Sequence, residues 1–431
     1  MVGLAGGGAW AQQQLPAGAV QPAIGGFSPS PSATAAQPVY MAGSQPDYAA
    51  VSDTANAPPG MNAGPFVVYP SIAVSEAYND NVTLSQGNKT SSALTVISPA
   101  ILAELKGAST SFNLGYVGTF GRYANSSADN YDAHLFKAGA MFDFSARSRL
   151  NLQGSYAMSI DPRGSTFASS GVTNPNKYHS TQGGGIYSYG ASGAQGRIEL
   201  EGLVVQTRYD NNRSVTQTLD FDSYRYGGAF FWRVAPKTEI LVQVVQVDTD
   251  YTSSLSLQDG RDRRYLLGVK WEATAATTGT FKIGQSRKTY DSSLSPSQTS
   301  TIWEGGVQWS PLSYSKVLLN TGKYIADASG GVGTGGLGAT SVKTSFYNLA
   351  WNHQWTERIS SNIRGGYLVE DYVGGLSNRS DKTGSAGFGL FYAARRWLTL
   401  AADYSYLERS SNQSVFDYKR NLLMFSVRAS M

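Results

Sequence analysis

Residues 149–158 read RLNLQGSYAM, with apolar side chains at the even positions and mostly polar ones at the odd positions. A period of two is the signature of a β-strand, because successive side chains point to opposite faces. Residues 264–272 (RYLLGVKWE) and 398–406 (LTLAADYSY) repeat it. From Phe66 onward the alternation predicts strands near 67–80, 91–105, 109–123, 131–144, 149–160, 177–189, 196–210, 219–233, 237–251, 261–273, 278–290, 300–310, 314–325, 341–355, 358–371, 381–394, 397–410 and 414–429. That is eighteen strands, with sixteen as the alternative count. An even number is what bacterial single-chain membrane barrels use.

The connections carry a second pattern. After even-numbered strands the links are short, as at Lys106-Gly107-Ala108, Val234-Ala235-Pro236, Pro311-Leu312-Ser313, Thr356-Glu357 and Arg395-Arg396. After odd-numbered strands they are mostly longer, as at 161–176, 211–218, 252–260, 291–299 and 326–340, with 411–413 the exception. Short periplasmic turns alternating with longer outer loops are the barrel asymmetry, which a soluble sandwich has no reason to show. The predicted fold is therefore all-β: a transmembrane, antiparallel, up-and-down β-barrel over 65–431. No loop exceeds 16 residues, so no counterpart of the long inward-folded constriction loop of general diffusion porins is expected. Tyr78, Tyr123, Tyr209, Tyr251, Tyr290, Tyr324 and Tyr406 precede long loops, and Trp232, Trp271, Trp309 and Trp355 precede short turns. The two sets read as aromatic girdles at the two headgroup levels.

Parity also sorts the charges. If Tyr224, Tyr226, Phe230 and Trp232 face lipid, Arg225 and Arg233 face the lumen. The same argument places Lys137, Asp143, Arg149, Glu199, Glu201, Arg264, Lys270, Glu272, Lys282, Glu304, Arg364, Glu370, Asp403 and Arg428 inside, because a lipid-facing Arg or Lys at the midplane costs roughly 2–4 kcal/mol. The strongest pore-lining candidates among these are Lys137, Arg149, Glu199, Glu201, Arg225, Arg264, Lys270, Glu272, Lys282, Glu304, Arg364 and Asp403. Both signs occur in similar number, so the lumen should show little ionic preference.

Composition narrows the class. Charged residues are 15% of the 431, against about 25% in average soluble domains, and 48 residues are glycine. No apolar run reaches the roughly 20 residues of a helical span. The net charge of +4 is too mild and too dispersed for nucleic acid. Cysteine is absent, and His134, His179 and His353 form no metal-ligand spacing, so no metal or other cofactor is expected. Glu199 and Glu201 share a face, as lumen residues do, and no catalytic constellation emerges. An enzyme is not expected. Ala9-Trp10-Ala11 ahead of Gln12 looks like a signal-peptidase site, so 1–11 read as a signal-peptide remnant. Residues 12–64 are rich in Ala, Pro, Gln, Gly and Ser, with Asp47 and Asp53 as the only charges, and read as a disordered periplasmic extension.

The start of the barrel is the most specific stretch. It reads Tyr69-Pro70-Ser71-Ile72-Ala73-Val74-Ser75-Glu76-Ala77-Tyr78-Asn79-Asp80-Asn81-Val82, then Leu94-Thr95-Val96-Ile97-Ser98-Pro99, Leu114-Gly115-Tyr116 and Arg122-Tyr123-Ala124-Asn125-Ser126. This resembles the "putative beta-barrel porin 2" family of outer-membrane proteins, over about 66–431 with recognisable motifs to about 126. The closing Phe425-Ser426-Val427-Arg428-Ala429-Ser430-Met431 is similar to the terminal strand of outer-membrane proteins, with Met431 where Phe is usual. The resemblance implies a bacterial outer-membrane protein with a role in moving or assembling an extracellular polysaccharide; the leading reading is a channel serving exopolysaccharide export, with outer-membrane lipid, a polysaccharide chain and periplasmic export components as the expected partners. A nutrient porin for small solutes and a structural or adhesive barrel without transport are the alternatives.

Overall fold

The structure is a computed structural model that describes residues 60–165, 172–191, 193–274, 276–328, 339–374 and 378–431. The expected signal-peptide remnant and most of the expected N-terminal extension lie outside these residues. A short strand, β1 (Met61–Ala63), precedes the wall. The first half of the wall is β2 (Phe66–Asn79), β3 (Ser92–Lys106), β4 (Thr110–Tyr123), β5 (Tyr131–Ser145), β6 (Ser148–Asp161), β7 (Asn176–Tyr189), β8 (Gly196–Tyr209), β9 (Phe221–Ala235) and β10 (Thr238–Tyr251). The second half is β11 (Gly260–Thr274), β12 (Thr277–Tyr290), β13 (Gln298–Leu312), β14 (Ser315–Asp327), β15 (Ser341–Gln354), β16 (Ile359–Val373), β17 (Ser380–Arg395), β18 (Leu398–Ser411) and β19 (Tyr418–Ser430).

Each wall strand pairs antiparallel with its neighbours in sequence, and β19 returns to β2 from Leu422↔Asn79 to Ser430↔Ser71. The eighteen strands β2–β19 thus close. Closure pairs the wall strands on both sides along most of their length and removes the edges that a bilayer would not tolerate. Alternation sets the two faces. On β10, Ile240, Val242 and Val244 are about half exposed, whereas Leu241, Gln243 and Val245 are buried. The outward set forms an apolar belt around the barrel, where water is replaced by lipid.

Four expectations are corrected. Met61–Ala63 lie in the segment expected to be unstructured, yet pair with β2 from Met61↔Val68 to Ala63↔Phe66. The short 411–413 link becomes 412–417, because Ser414–Phe416 form a 3-10 turn and the last strand starts only at Tyr418, which restores the alternation of loop lengths. The girdle reading holds at the turn end, where Trp232, Trp309 and Trp355 are 44–57% exposed. At the loop end it fails. Tyr78 and Tyr406 point outward, but Tyr123, Tyr209, Tyr251, Tyr290 and Tyr324 take inward parity, shown by register partners such as Tyr251↔Phe221 and Tyr209↔Tyr178. A tyrosine suits either a headgroup or a wall that offers its hydroxyl a partner, so residue type alone does not choose the face. The fourth correction, an inward-folded hairpin tip, belongs with the lumen.

Candidate functional site

The inner face is built by parity. Lys137 (β5), Arg149 (β6), Glu199 and Glu201 (β8), Arg225 (β9), Arg264, Lys270 and Glu272 (β11), Lys282 (β12), Glu304 (β13), Arg364 (β16) and Asp403 (β18) all sit at inward positions. Over β8–β13 the structure gathers them into a ladder of opposite charges. Arg225 donates to Glu201 Oε1 from Nε at 3.0 Å and Nη2 at 2.8 Å. Lys282 Nζ lies 2.5 Å from Glu304 and donates to Gln243 at 3.0 Å. Arg264 Nε meets Asp262 at 2.7 Å, and Asp262 also accepts from the Ser286 hydroxyl. The side chains of Arg225 and Glu201 are only 3% and 6% exposed. At such burial an unpaired charge would be too costly to keep ionised, so the sequence supplies the opposite sign one strand away.

On the far wall Arg364 Nη2 binds both oxygens of Asp403, at 2.6 and 2.7 Å. The pair reaches across β17 because Gly387 stands opposite Arg364 and Gly389 opposite Asp403. A Cβ at Gly387 would collide with the Arg364 side chain. Other candidates stand apart. Glu199 belongs to a turn-end cluster in which Arg197 pairs with both Glu199 and Glu239. Lys270 and Glu272 are 3.9 Å apart on one exposed stretch. Lys137 and Arg149 lie on the β5–β6 wall, beside the exposed Asn151 and Gln153.

Two segments intrude on the loop-ward end of the lumen. β13 pairs with β14 only as far as Trp303↔Lys323, while β14 continues to Asp327 with β15. Beyond that point the β14–β15 tip leans across the lumen. Asp327 meets Lys288 of β12 at 2.6 Å and accepts from the Tyr290 hydroxyl at 3.3 Å. Gln258 Nε2 donates to the carbonyls of Ala328 and Thr340 at 2.8 and 2.9 Å. A small cavity remains between the tip and the wall, lined among others by Phe221, Arg264, Lys288 and Ile325. No counterpart of the long inward-folded constriction loop of general diffusion porins is expected from the sequence, yet the β14–β15 loop folds inward at its base, and a tip bend leaves no trace in strand periodicity.

A second intrusion comes from the loops after β2 and β6. Gly164, at φ +73, packs so closely under the Thr83 and Leu84 carbonyls that a Cβ would collide with them. Its own carbonyl accepts from Arg409 of β18 at 2.8 Å, and Leu84 packs with Leu407 and Tyr418. Neighbouring Arg163 pairs with Asp129, whose hydrogen bond raises the guanidinium pKa further above its ordinary value. Turn-ward, the inward Asn113, Asn151, Gln153, Gln182 and Lys316 are exposed. The lumen therefore opens toward the turns and narrows among loops and tyrosines.

Sequence reasoning missed Arg197, Glu239, Asp262, Lys288, Asp327 and Arg409 as lumen residues. All but Asp327 share parity with a residue it chose on the same or the facing strand, so alternation extended to the strand ends would have found them. Among the described residues, no group of three His, Cys, Asp or Glu is placed to hold a metal ion.

A family model described as "Putative beta-barrel porin 2" matches residues 54–431. No curated protein matches the chain. Among solved structures, the chain is similar to the FrpB iron transporter (F5-1 variant) from Neisseria meningitidis, at 11% identity and TM-score 0.46, covering 83% of this chain and 65% of that one. It is also similar to OccK3 (OpdO) from Pseudomonas aeruginosa, at 13% identity and TM-score 0.45, covering 84% and 96%. OccAB2 of Acinetobacter baumannii gives 11% identity, TM-score 0.44, and coverage of 85% and 98%.

Proposed function

The chain belongs to the "Putative beta-barrel porin 2" family, and from that premise we propose that this porin-like barrel of the bacterial outer membrane is a channel serving export of an exopolysaccharide. The observation that carries the proposal is the character of the inner face. Its charges are held as neutralised pairs, such as Glu201–Arg225, Lys282–Glu304 and Arg364–Asp403, and amides, hydroxyls and tyrosines fill the spaces between them. A conducting lumen must hold its cargo weakly enough to release it. Such a wall offers a sugar chain many hydrogen-bonding partners and no dominant field. The cargo is therefore a neutral or sparsely charged polymer rather than a polyuronate.

In this reading the short turns and both ends of the wall face the periplasm and the long loops face outward. The open turn-ward vestibule receives the chain, and the β14–β15 tip and the Gly164 segment withdraw for its passage. Periplasmic export components act at the turn end. The test is deletion of the gene in its native host, with polymer measured in the medium and in the periplasm, and uptake of small solutes measured in parallel. Loss of secreted polymer, restored by the wild-type chain, supports the proposal. Undiminished secretion with impaired solute uptake would replace it with a nutrient porin.

A further inference from the structure

We infer that the outer wall of the barrel carries a phosphate-binding site for the headgroup of a phosphorylated glycolipid of the outer leaflet, built from Arg263 and Arg287 with Arg261 beside them. The outward positions of β11 run from Trp271 through Val269, Leu267 and Tyr265, then change abruptly to Arg263 and Arg261. On β12 the outward series is Phe281, Ile283, Gln285 and Arg287. Arg263 and Arg287 stand directly opposite each other in register. Like charges facing across a strand pair are destabilising, and here no carboxylate lies between them. Arg263 Nε donates to Gln246 Oε1 at 3.2 Å, and Arg261 meets Asp248 at 2.9 Å. Asp248 is further engaged by the Tyr226 hydroxyl and Gln246. No side-chain partner of Arg287 occurs among the described residues.

Depth identifies the missing partner. Arg263 is eight residues from Trp271 of the turn-end girdle, which at ~3.3 Å per residue and a tilt of ~40° is roughly 20 Å of membrane height. The apolar band of such barrels is about 25 Å tall, so the two arginines sit where hydrocarbon gives way to headgroups. Guanidinium forks match phosphate oxygens bidentately, and strands about 4.8 Å apart let two forks bracket one phosphate. Because this wall faces lipid, the phosphate belongs to a lipid and not to a free anion.

The site requires the loop end to face outward, as in the proposed orientation, but it is independent of what the lumen carries. Binding is measured in detergent, where neither orientation nor cargo enters: native mass spectrometry of the full chain with bisphosphorylated lipid A, its dephosphorylated form, and inorganic phosphate as competitor. The bisphosphorylated lipid is expected to bind roughly tenfold more tightly than the dephosphorylated one, a difference within reach of two charge-assisted contacts. The Arg263→Gln/Arg287→Gln double variant, which relieves a repulsion and so folds, should lose that preference. Arg122→Gln, which removes an outward arginine paired with Asp132 at 2.7 Å on another stretch of wall, should keep it. Equal binding of the two lipids, an unchanged preference in the double variant, or displacement by millimolar inorganic phosphate would each overturn the inference.

Discussion

At the scale of single residues, parity decides what a substitution costs. Leu400 and Leu152 are outward and about 40% exposed, so arginine at either would place a charge in hydrocarbon, at roughly 2–4 kcal/mol near the midplane. Thr399 and Asn151, one residue away, face inward. Leu400→Arg and Leu152→Arg are expected to lower the folded, heat-modifiable fraction on gels, while Thr399→Arg and Asn151→Arg leave it near wild type; equal loss from both sets would refute the register. The ladder gives a sharper expectation. Removing one partner of a buried ion pair costs about 3–5 kcal/mol, whereas replacing both with apolar groups is often close to neutral. Arg225→Met should therefore destabilise the barrel strongly in urea titrations, and adding Glu201→Met should recover much of the loss. Additive losses would mean the two side chains act independently. These inward positions were legible from sequence because one alternation governs a whole strand. Which charges would meet was less legible, since pairs such as Arg364–Asp403 depend on glycines of an intervening strand.

At the scale of elements, the eighteen strands and the alternation of loop lengths could be read directly, because period two and turn residues are local signals. What could not be read is how the loop end closes. The inward tyrosines and the β14–β15 tip depend on where β13 stops pairing with β14, a tertiary event beyond Trp303↔Lys323. Met61–Ala63 escaped for a similar reason, since three residues are too few to show a period. The tip is held by Lys288–Asp327 and by Gln258. Removing both charges in Lys288→Ala/Asp327→Ala, so that neither is left unpaired, should free the tip and raise single-channel conductance in planar bilayers. Unchanged conductance would show that the tip does not restrict the pore. Orientation is tested at the same scale. A tag beside Leu294, which is 75% exposed in a long loop, should be labelled on intact cells, and one in the turn at Ser313 should not; the reverse pattern would invert the proposed topology.

At the scale of the whole molecule, three features act together. Closure through β19 and β2 removes the sheet edges, the outward apolar belt matches a bilayer, and the inner face carries paired charges that largely cancel. The last feature underlies the functional account, since a lumen without a dominant sign admits a neutral polymer and discriminates little between small ions. The most direct test is the reversal potential of the purified, full-length barrel in a planar bilayer under a tenfold potassium chloride gradient. The account predicts discrete channel openings with a reversal potential much nearer zero than the roughly 59 mV limit of an ideally selective pore. Any residual preference should shrink as salt rises and the Debye length falls from about 30 Å toward about 3 Å. A reversal potential near the limit for either ion, or a barrel that inserts and never conducts, would contradict it.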